Sequence, residues 1–177
     1  RKEMKIEKII KSKLEQDYIF VKGNIDIDTD YFIKKIEEGM CDKTNRNFET
    51  NLKSGMTSFN YFKKDKEFFK ILLKMNDFLD DLIGQDVTSY GLQAAWGFRQ
   101  DFSHYSKFHH HMPSFISGAI MLNSHTQHLL FPEIKEKLEA EPGNFALFSA
   151  IIKHGNRRND TDEPRYGLSF NMTQEGF

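Results

Sequence analysis

The sequence predicts an α+β chain in which N-terminal helices buttress a double-stranded β-helix, or jelly-roll, barrel. Three observations carry that expectation. Residues 66–83 repeat apolar side chains every three to four positions, the period of an amphipathic helix. From Val87 onward the pattern changes to short apolar runs separated by Pro, Gly and Asn, which read as strands and turns. Helices gathered ahead of strands, rather than alternating with them, favour separate layers over a doubly wound sheet. At 177 residues the chain fits a single domain over 1–177 and can bury about 70% of its unfolded surface. Residues 1–86 are expected to be a mainly helical flank and 87–177 the jelly-roll core.

In chain order, 2–15 place Met4, Ile6, Ile9, Ile10 and Leu14 among Lys and Glu, which suits a packed amphipathic helix or a frayed linker. Residues 17–22 (DYIFVK) read as a strand closed by Gly23 and Asn24. Asp28 or Thr29 can cap a helix over 30–38 that presents Phe32, Ile33 and Ile36 on one face and ends at Gly39. Residues 41–56 are polar and read as a loop, either a plain surface loop or a substrate lid. In 66–83 the stripe of Phe68, Phe69, Leu72, Met75, Leu79 and Leu82 follows a capping Asp65; it is core packing rather than a binding face. Residues 87–99 form one long strand or two, and 100–107 a polar connector. Strands follow over 117–123 and 128–131, then a charged connector over 135–140. Pro142 and Gly143 turn the chain into a strand over 144–153, and 165–172 is the last strand.

Composition narrows the function classes. With 25 basic and 26 acidic residues, nothing argues for bulk nucleic-acid binding or a membrane surface. Seventeen Phe at a mean hydropathy of −0.61 imply an aromatic core. Cys41 is the single cysteine, so no disulfide forms within the chain, which fits a reducing, cytoplasmic setting. No apolar run reaches the roughly 18 residues of a membrane span, and RKEMKIEKII lacks the apolar stretch of a signal peptide. A chain that opens on Arg1 rather than Met is expected to have been trimmed from something longer.

The chemistry concentrates between 107 and 172. His109, His110 and His111 stand at the head of an apolar run, His154 follows another, and Arg165 opens the last. Alternate side chains of a strand share a face, so His109 and His111 point one way and His110 the other. With His154 from a distant strand, two such imidazoles suit one metal ion. Three consecutive histidines are also common as a solvated surface run, but these lie inside the domain beside an apolar strand. His125 and His128 flank a turn-like SHTQ and read as surface residues; His104 lies in a polar loop within possible reach of the site.

The order H-x-H, then Ser117-Gly118 and an apolar strand, then Pro142-Gly143-x-x-x-x-Phe148, then His154 and R-x-x-x-S-x-N over 165–171, resembles the 2-oxoglutarate/Fe(II)-dependent oxygenases, with a tail similar to prolyl-hydroxylase-like members. The resemblance covers about 90–172. It implies Fe(II), 2-oxoglutarate as cosubstrate and O2, with hydroxylation of a C–H bond and release of succinate and CO2. It also implies that Arg165 and Ser169 hold the distal carboxylate of 2-oxoglutarate, although an Arg beside Arg157 and Arg158 is as readily a surface ion-pair partner.

One departure is plain. The usual triad of such enzymes is two His and a carboxylate, the acid lying two positions after the first His, and none of the seven histidines is followed that way by Asp or Glu. Either His111 takes the carboxylate's place, or an acid such as Asp101 or Glu133 completes the set, or two histidines suffice. Strand geometry favours His109, His111 and His154. Two other classes remain: a cupin-like metalloenzyme that uses three histidines without 2-oxoglutarate, and a non-catalytic jelly-roll binding module. The substrate is an amino acid, a peptidyl side chain or a small metabolite, and the sequence names no oligomeric state.

Overall fold

Side-chain alternation in the second half builds two antiparallel sheets. A computed structural model describes residues 18–41, 52–83 and 90–174. In order they form β1 (Phe20–Asn24), α1 (Thr29–Cys41), β2 (Leu52–Lys53), β3 (Gly55–Met56), α2 (Lys66–Ile83), β4 (Tyr90–Gln100), β5 (Tyr105–His109), β6 (Ile116–Met121), β7 (His125–Phe131), β8 (Glu136–Ala140), β9 (Asn144–Ser149), β10 (His154–Asn156) and β11 (Arg165–Gln174). A six-stranded sheet runs β1-β9-β6-β11-β4-β3 and a five-stranded sheet runs β2-β5-β10-β7-β8.

The six-stranded sheet is covered on both sides. Leu168, Phe170 and Met172 of β11, Ile116 and Ile120 of β6 and Leu147 of β9 pack with Phe32 and Ile36 of α1 and Phe68, Ile71, Leu72 and Met75 of α2. The alternate residues face the other sheet: Ala119, Met121, Ala146 and Phe148 meet Leu129, Phe131, Leu138 and Ala140. A strand buried on both faces needs apolar or small residues at every position, and ISGAIM of β6 is buried throughout. The α+β jelly-roll architecture expected from the sequence is therefore present as two facing sheets with the helices on the outer face of the larger one.

The helices follow their local signals. The Asp65 carboxylate accepts the Phe68 N–H at 2.9 Å and the Asp28 carboxylate accepts the Tyr31 N–H at 3.0 Å, the side-chain caps that orphan helix donors require. α2 occupies the expected span. α1 passes Gly39 instead of ending there, because Gly39 packs inside: a Cβ would lie 2.7 Å from the Tyr61 ring.

Several boundaries differ from the sequence reading. The connector proposed over 100–107 contains the start of β5, and that proposed over 135–140 is β8, whose Leu138 and Ala140 are buried while Glu136 and Lys137 are exposed. The strand expected over 144–153 stops at Ser149; a turn follows, and β10 begins only at His154. Cys41 is the last residue of α1 and residues 52–56 carry β2 and β3; residues 42–51 of that lid candidate, and the 2–15 helix, lie outside the described residues. β1, β2 and β3, all from the first half of the chain, join the two sheets. Gly143 makes the turn into β9 at a φ of 78°, where a Cβ would lie 2.3 Å from the Ile25 carbonyl oxygen, a conformation and an approach that glycine alone takes easily.

Candidate functional site

The histidine cluster sits where β5 ends. His109 is the last residue of that strand and His111 lies two residues on, in the turn that contains the cis Met112–Pro113 bond. The cluster thus closes a strand rather than opening one, as the sequence had suggested. The alternation still holds: His109 and His111 turn inward and His110 is exposed. β10 supplies the third imidazole, with His154 directly opposite His109 in the antiparallel register. Between His154 and Asn156, Gly155 has no room for a side chain, since a Cβ would come within 2.8 Å of the Ser106 carbonyl oxygen; this brings β10 close against β5.

The ligating atoms of these three residues lie within 4.8 Å of one another. Each ring is oriented by the nitrogen that faces away. His109 Nδ1–H donates to the Lys107 carbonyl at 2.7 Å, and His154 Nδ1–H donates to the Ile152 carbonyl at 3.1 Å. His111 Nδ1–H donates to Asn171 Oδ1 at 2.6 Å, and that oxygen also accepts the Ser117 hydroxyl at 2.8 Å. A neutral imidazole protonated on Nδ1 carries its lone pair on Nε2. All three Nε2 lone pairs therefore converge, with His109 Nε2 and His111 Nε2 only 3.0 Å apart. Two lone pairs at that distance repel unless a cation lies between them, so the donor set fits a divalent metal ion. Burial pushes His111 down to about 4 and His154 down to about 3, and it lowers His109 as well; the imidazoles are neutral at ordinary pH, the form that binds metal.

The alternative ligands lie elsewhere. Asp101 is ion-paired with Arg99 at 3.0 Å, and its backbone N–H donates to His104 Nδ1 at 3.1 Å, which occupies both residues. Glu133 is exposed and pairs with Lys153 at 3.6 Å. Among the described residues neither acid joins the converging group. His125 is buried, contrary to its expected surface position, because its ring bonds the Thr161 hydroxyl and the Glu163 carbonyl, both at 3.1 Å. His128 is half-buried on the same strand and accepts the Ala140 N–H at 3.2 Å.

Arg165 shares a cavity with the imidazoles, along with Trp96, Phe98, Gln100 and Ser169. The strand period places Arg165, Ser169 and Asn171 on one face of β11, opposite Gln100, Trp96 and Ala94 of β4. Arg165 is 1% exposed. Its Nη1 donates to Gln100 Oε1 at 2.7 Å, its Nη2 to Met121 Sδ at 3.3 Å, and its Nε finds no partner among the described residues. Among the described residues no carboxylate pairs with it, and burial pushes it down to about 10. A buried, uncompensated guanidinium is costly unless an anion completes it. Trp96 Nε1 is a second buried donor on this cavity that finds no partner among the described residues.

Sequence reasoning gave no role to Trp96, Gln100, Ser117, Asn156 or Asn171. Asn171 carried a signal in its even spacing from Arg165 and Ser169; the others become visible only through strand register.

No family model matches the chain and no curated protein matches it. Solved structures do. A viral collagen prolyl hydroxylase from Paramecium bursaria Chlorella virus-1, in complex with 2-oxoglutarate, superposes with a TM-score of 0.66 at 15% identity, over 88% of this chain and 94% of that one. A Pseudomonas putida prolyl-4-hydroxylase gives 0.64 at 12% identity, over 89% and 93%. HygX from Streptomyces hygroscopicus, with nickel and 2-oxoglutarate bound, gives 0.60 at 12% identity, over 90% and 84%. The chain thus resembles the 2-oxoglutarate/Fe(II)-dependent oxygenases in fold, as the order of its motifs had suggested. No helix among the described residues is long and apolar enough to cross a membrane.

Proposed function

We propose that the chain is an Fe(II)- and 2-oxoglutarate-dependent dioxygenase that hydroxylates a C–H bond of an amino-acid, peptidyl or small-metabolite substrate, releasing succinate and CO2. One observation carries the reading: three converging Nε2 lone pairs and a buried guanidinium without a carboxylate partner line the same cavity. A cupin-like centre has no need of the guanidinium, and a vestigial binding module has no need of both. The intact pair therefore favours the oxygenase.

In this reading His109, His111 and His154 hold the iron, with His111 in the position that a carboxylate takes in the commoner triad. Three neutral ligands leave the site one positive charge richer than the two-His-one-carboxylate set. Arg165 takes the distal carboxylate of 2-oxoglutarate through its unused N–H groups, a planar donor fork suited to that geometry, and the Ser169 hydroxyl donates to the same group. Phe98, Met121, Leu129 and Phe148 keep the surroundings of these groups apolar, which strengthens a charged pair and limits access of water. The iron, when bound with O2 and 2-oxoglutarate, supplies the oxidising power for the C–H bond, and the protein supplies position and dryness. No general base is required of the chain.

The test is anaerobic addition of Fe(II) and then 2-oxoglutarate. A weak visible charge-transfer band that needs both is expected, followed by succinate release on admitting air. Arg165→Ala should raise the 2-oxoglutarate requirement about 30-fold or more, the cost of losing a bidentate charged pair from a buried site, with iron affinity nearly intact. Metal binding without a 2-oxoglutarate-dependent band would favour the cupin-like reading; no metal binding would favour the module.

A further inference from the structure

The Arg165 guanidinium is held in place without being neutralised. Its Nη1–H donates to Gln100 Oε1 at 2.7 Å, Gln100 Nε2–H donates to Asn156 Oδ1 at 3.1 Å, and Asn156 Nδ2–H donates to the Arg157 carbonyl at 2.8 Å. Gln100 and Asn156 are 2% and 4% exposed, so water offers them little alternative. An amide side chain can face either way, and its environment decides which end meets the arginine. Here the direction is set from the far end. A backbone carbonyl only accepts, so it fixes Asn156; the Asn156 oxygen then fixes Gln100, whose own oxygen is left for the guanidinium. The chain of donors runs one way from arginine to backbone, and every acceptor in it is uncharged.

We propose that Gln100 is the positioning residue of the cosubstrate clamp and that Asn156 locks its orientation, so that Arg165 stays aimed and keeps its full charge for an incoming carboxylate. The inference rests on the 2-oxoglutarate reading of Arg165. A Glu at position 100 would hold the guanidinium equally well but consume its charge; an apolar residue would preserve the charge but release the side chain. Only a neutral acceptor of fixed direction does both. The same arrangement ties the clamp to the metal centre, because Asn156 and His154 are two residues apart on the three-residue strand β10.

Affinities for 2-oxoglutarate and for 2-oxovalerate, the five-carbon 2-oxo acid without the distal carboxylate, test this by calorimetry on the Fe(II)-loaded protein under anaerobic conditions. Gln100→Glu is nearly isosteric, so a purely structural role for Gln100 predicts little change. The proposal predicts that 2-oxoglutarate binds about 30-fold more weakly or worse while 2-oxovalerate is unaffected, so that preference for the diacid collapses. Asn156→Ala, which leaves the Arg165–Gln100 contact in place but unlocks its direction, should weaken 2-oxoglutarate alone by about 2- to 10-fold, the scale of one hydrogen bond; this variant carries the test if Gln100→Glu does not fold. If Gln100→Glu, or Asn156→Ala in its stead, binds 2-oxoglutarate like the parent while Arg165→Ala does not, the inference falls and the clamp stands. If Arg165→Ala also binds like the parent, the cosubstrate reading falls and takes the inference with it.

Discussion

Asn171 holds His111 by the nitrogen that faces away from the other two imidazoles, through a 2.6 Å hydrogen bond from His111 Nδ1–H to Asn171 Oδ1. His111 is the one imidazole of the three whose outer partner is a side chain; His109 and His154 donate to backbone carbonyls. Its orientation therefore depends on residues that can be exchanged. Ser117 reinforces the arrangement by donating to the same Asn171 oxygen.

Asn171→Ala should loosen the His111 ring and lower metal affinity by roughly 10- to 100-fold, the usual effect of removing an outer partner of a ligating histidine. Competition between the protein and a coloured chelator for Fe(II) measures this. Ser117 Oγ also lies 3.1 Å from His111 Nδ1, a longer contact than that of Asn171, so Ser117→Ala should cost less. An Asn171→Ala protein with parental metal affinity would show that Asn171 is not what orients His111, leaving that to the Ser117 hydroxyl and to packing against Trp96, whose ring centroid is 5.9 Å away.

Single substitutions of the histidines should divide three against one. His109→Ala, His111→Ala and His154→Ala should each lose most Fe(II) binding in equilibrium dialysis, and His110→Ala should retain it. His111→Asp, which restores a carboxylate, should still bind iron if His111 stands in that ligand's place. Tolerance of His111→Ala together with sensitivity of Asp101→Asn or Glu133→Gln would reverse the ligand assignment.

How much of the site is legible in the sequence depends on how far apart its residues lie along the chain. The span of α2 was legible because its apolar period and its Asp65 cap are local, although Phe69, expected in the core stripe, is 52% exposed. The inward turn of His109 and His111 was legible from alternation, even though the strand bearing them was placed on the wrong side of the cluster. Tyr105–His109 is mostly polar and its neighbours across the ladder are Leu52, Lys53, Ser106's partner Asn156, and His154, none of which is near in sequence. Strand β8 hid behind its charges: EKLEA places Glu136, Lys137 and Glu139 around buried Leu138 and Ala140, as suits a sheet edge that must discourage further pairing. Gln100 and Asn156 could not be read as site residues at all, since their role arises from a contact across 56 positions.

Glu37 gives a stability prediction with a definite sign. It accepts hydrogen bonds from Arg99 at 2.8 and 3.0 Å and from the Tyr166 hydroxyl, joining α1 to β4 and β11. Partial burial acts to raise its carboxyl, but the bonds from Tyr166 and Arg99 outweigh that and hold it below the usual range. A carboxylate depressed in the folded state contributes stability that is complete above its ordinary pKa and is lost as pH falls through its folded one. Glu37→Gln should therefore melt lower near neutral pH, by only about 0.5–1 kcal/mol because the pair is partly solvated and screened. The gap to the parent should narrow below the ordinary carboxylate range. A gap that widened on acidification would contradict the assignment.

Arg165 should add little net stability to the ligand-free protein. A buried charge without a counter-ion carries a desolvation penalty of several kcal/mol, and replacing buried charges by apolar residues of similar volume is often stabilising by about 1–4 kcal/mol. Against that, Arg165→Met leaves Gln100 Oε1 without its donor, at about 1–3 kcal/mol, and removes the stacking of the guanidinium on Phe98, 5.2 Å from the ring centre, at about 0.5–2 kcal/mol. The gain and the losses are of similar size, so the ligand-free variant should melt within a few degrees of the parent, at about 2–4 °C per kcal/mol in a chain of this size. Adding 2-oxoglutarate with a divalent metal should separate the two. The parent gains about 2.7 kcal/mol at a hundredfold excess over its dissociation constant, whereas the variant should gain only what the metal alone confers. Thermal melts of both proteins, with and without 2-oxoglutarate, decide it. A ligand-free variant that melts well below the parent would mean that the fold itself satisfies the guanidinium, and that Arg165 serves the architecture rather than an incoming carboxylate.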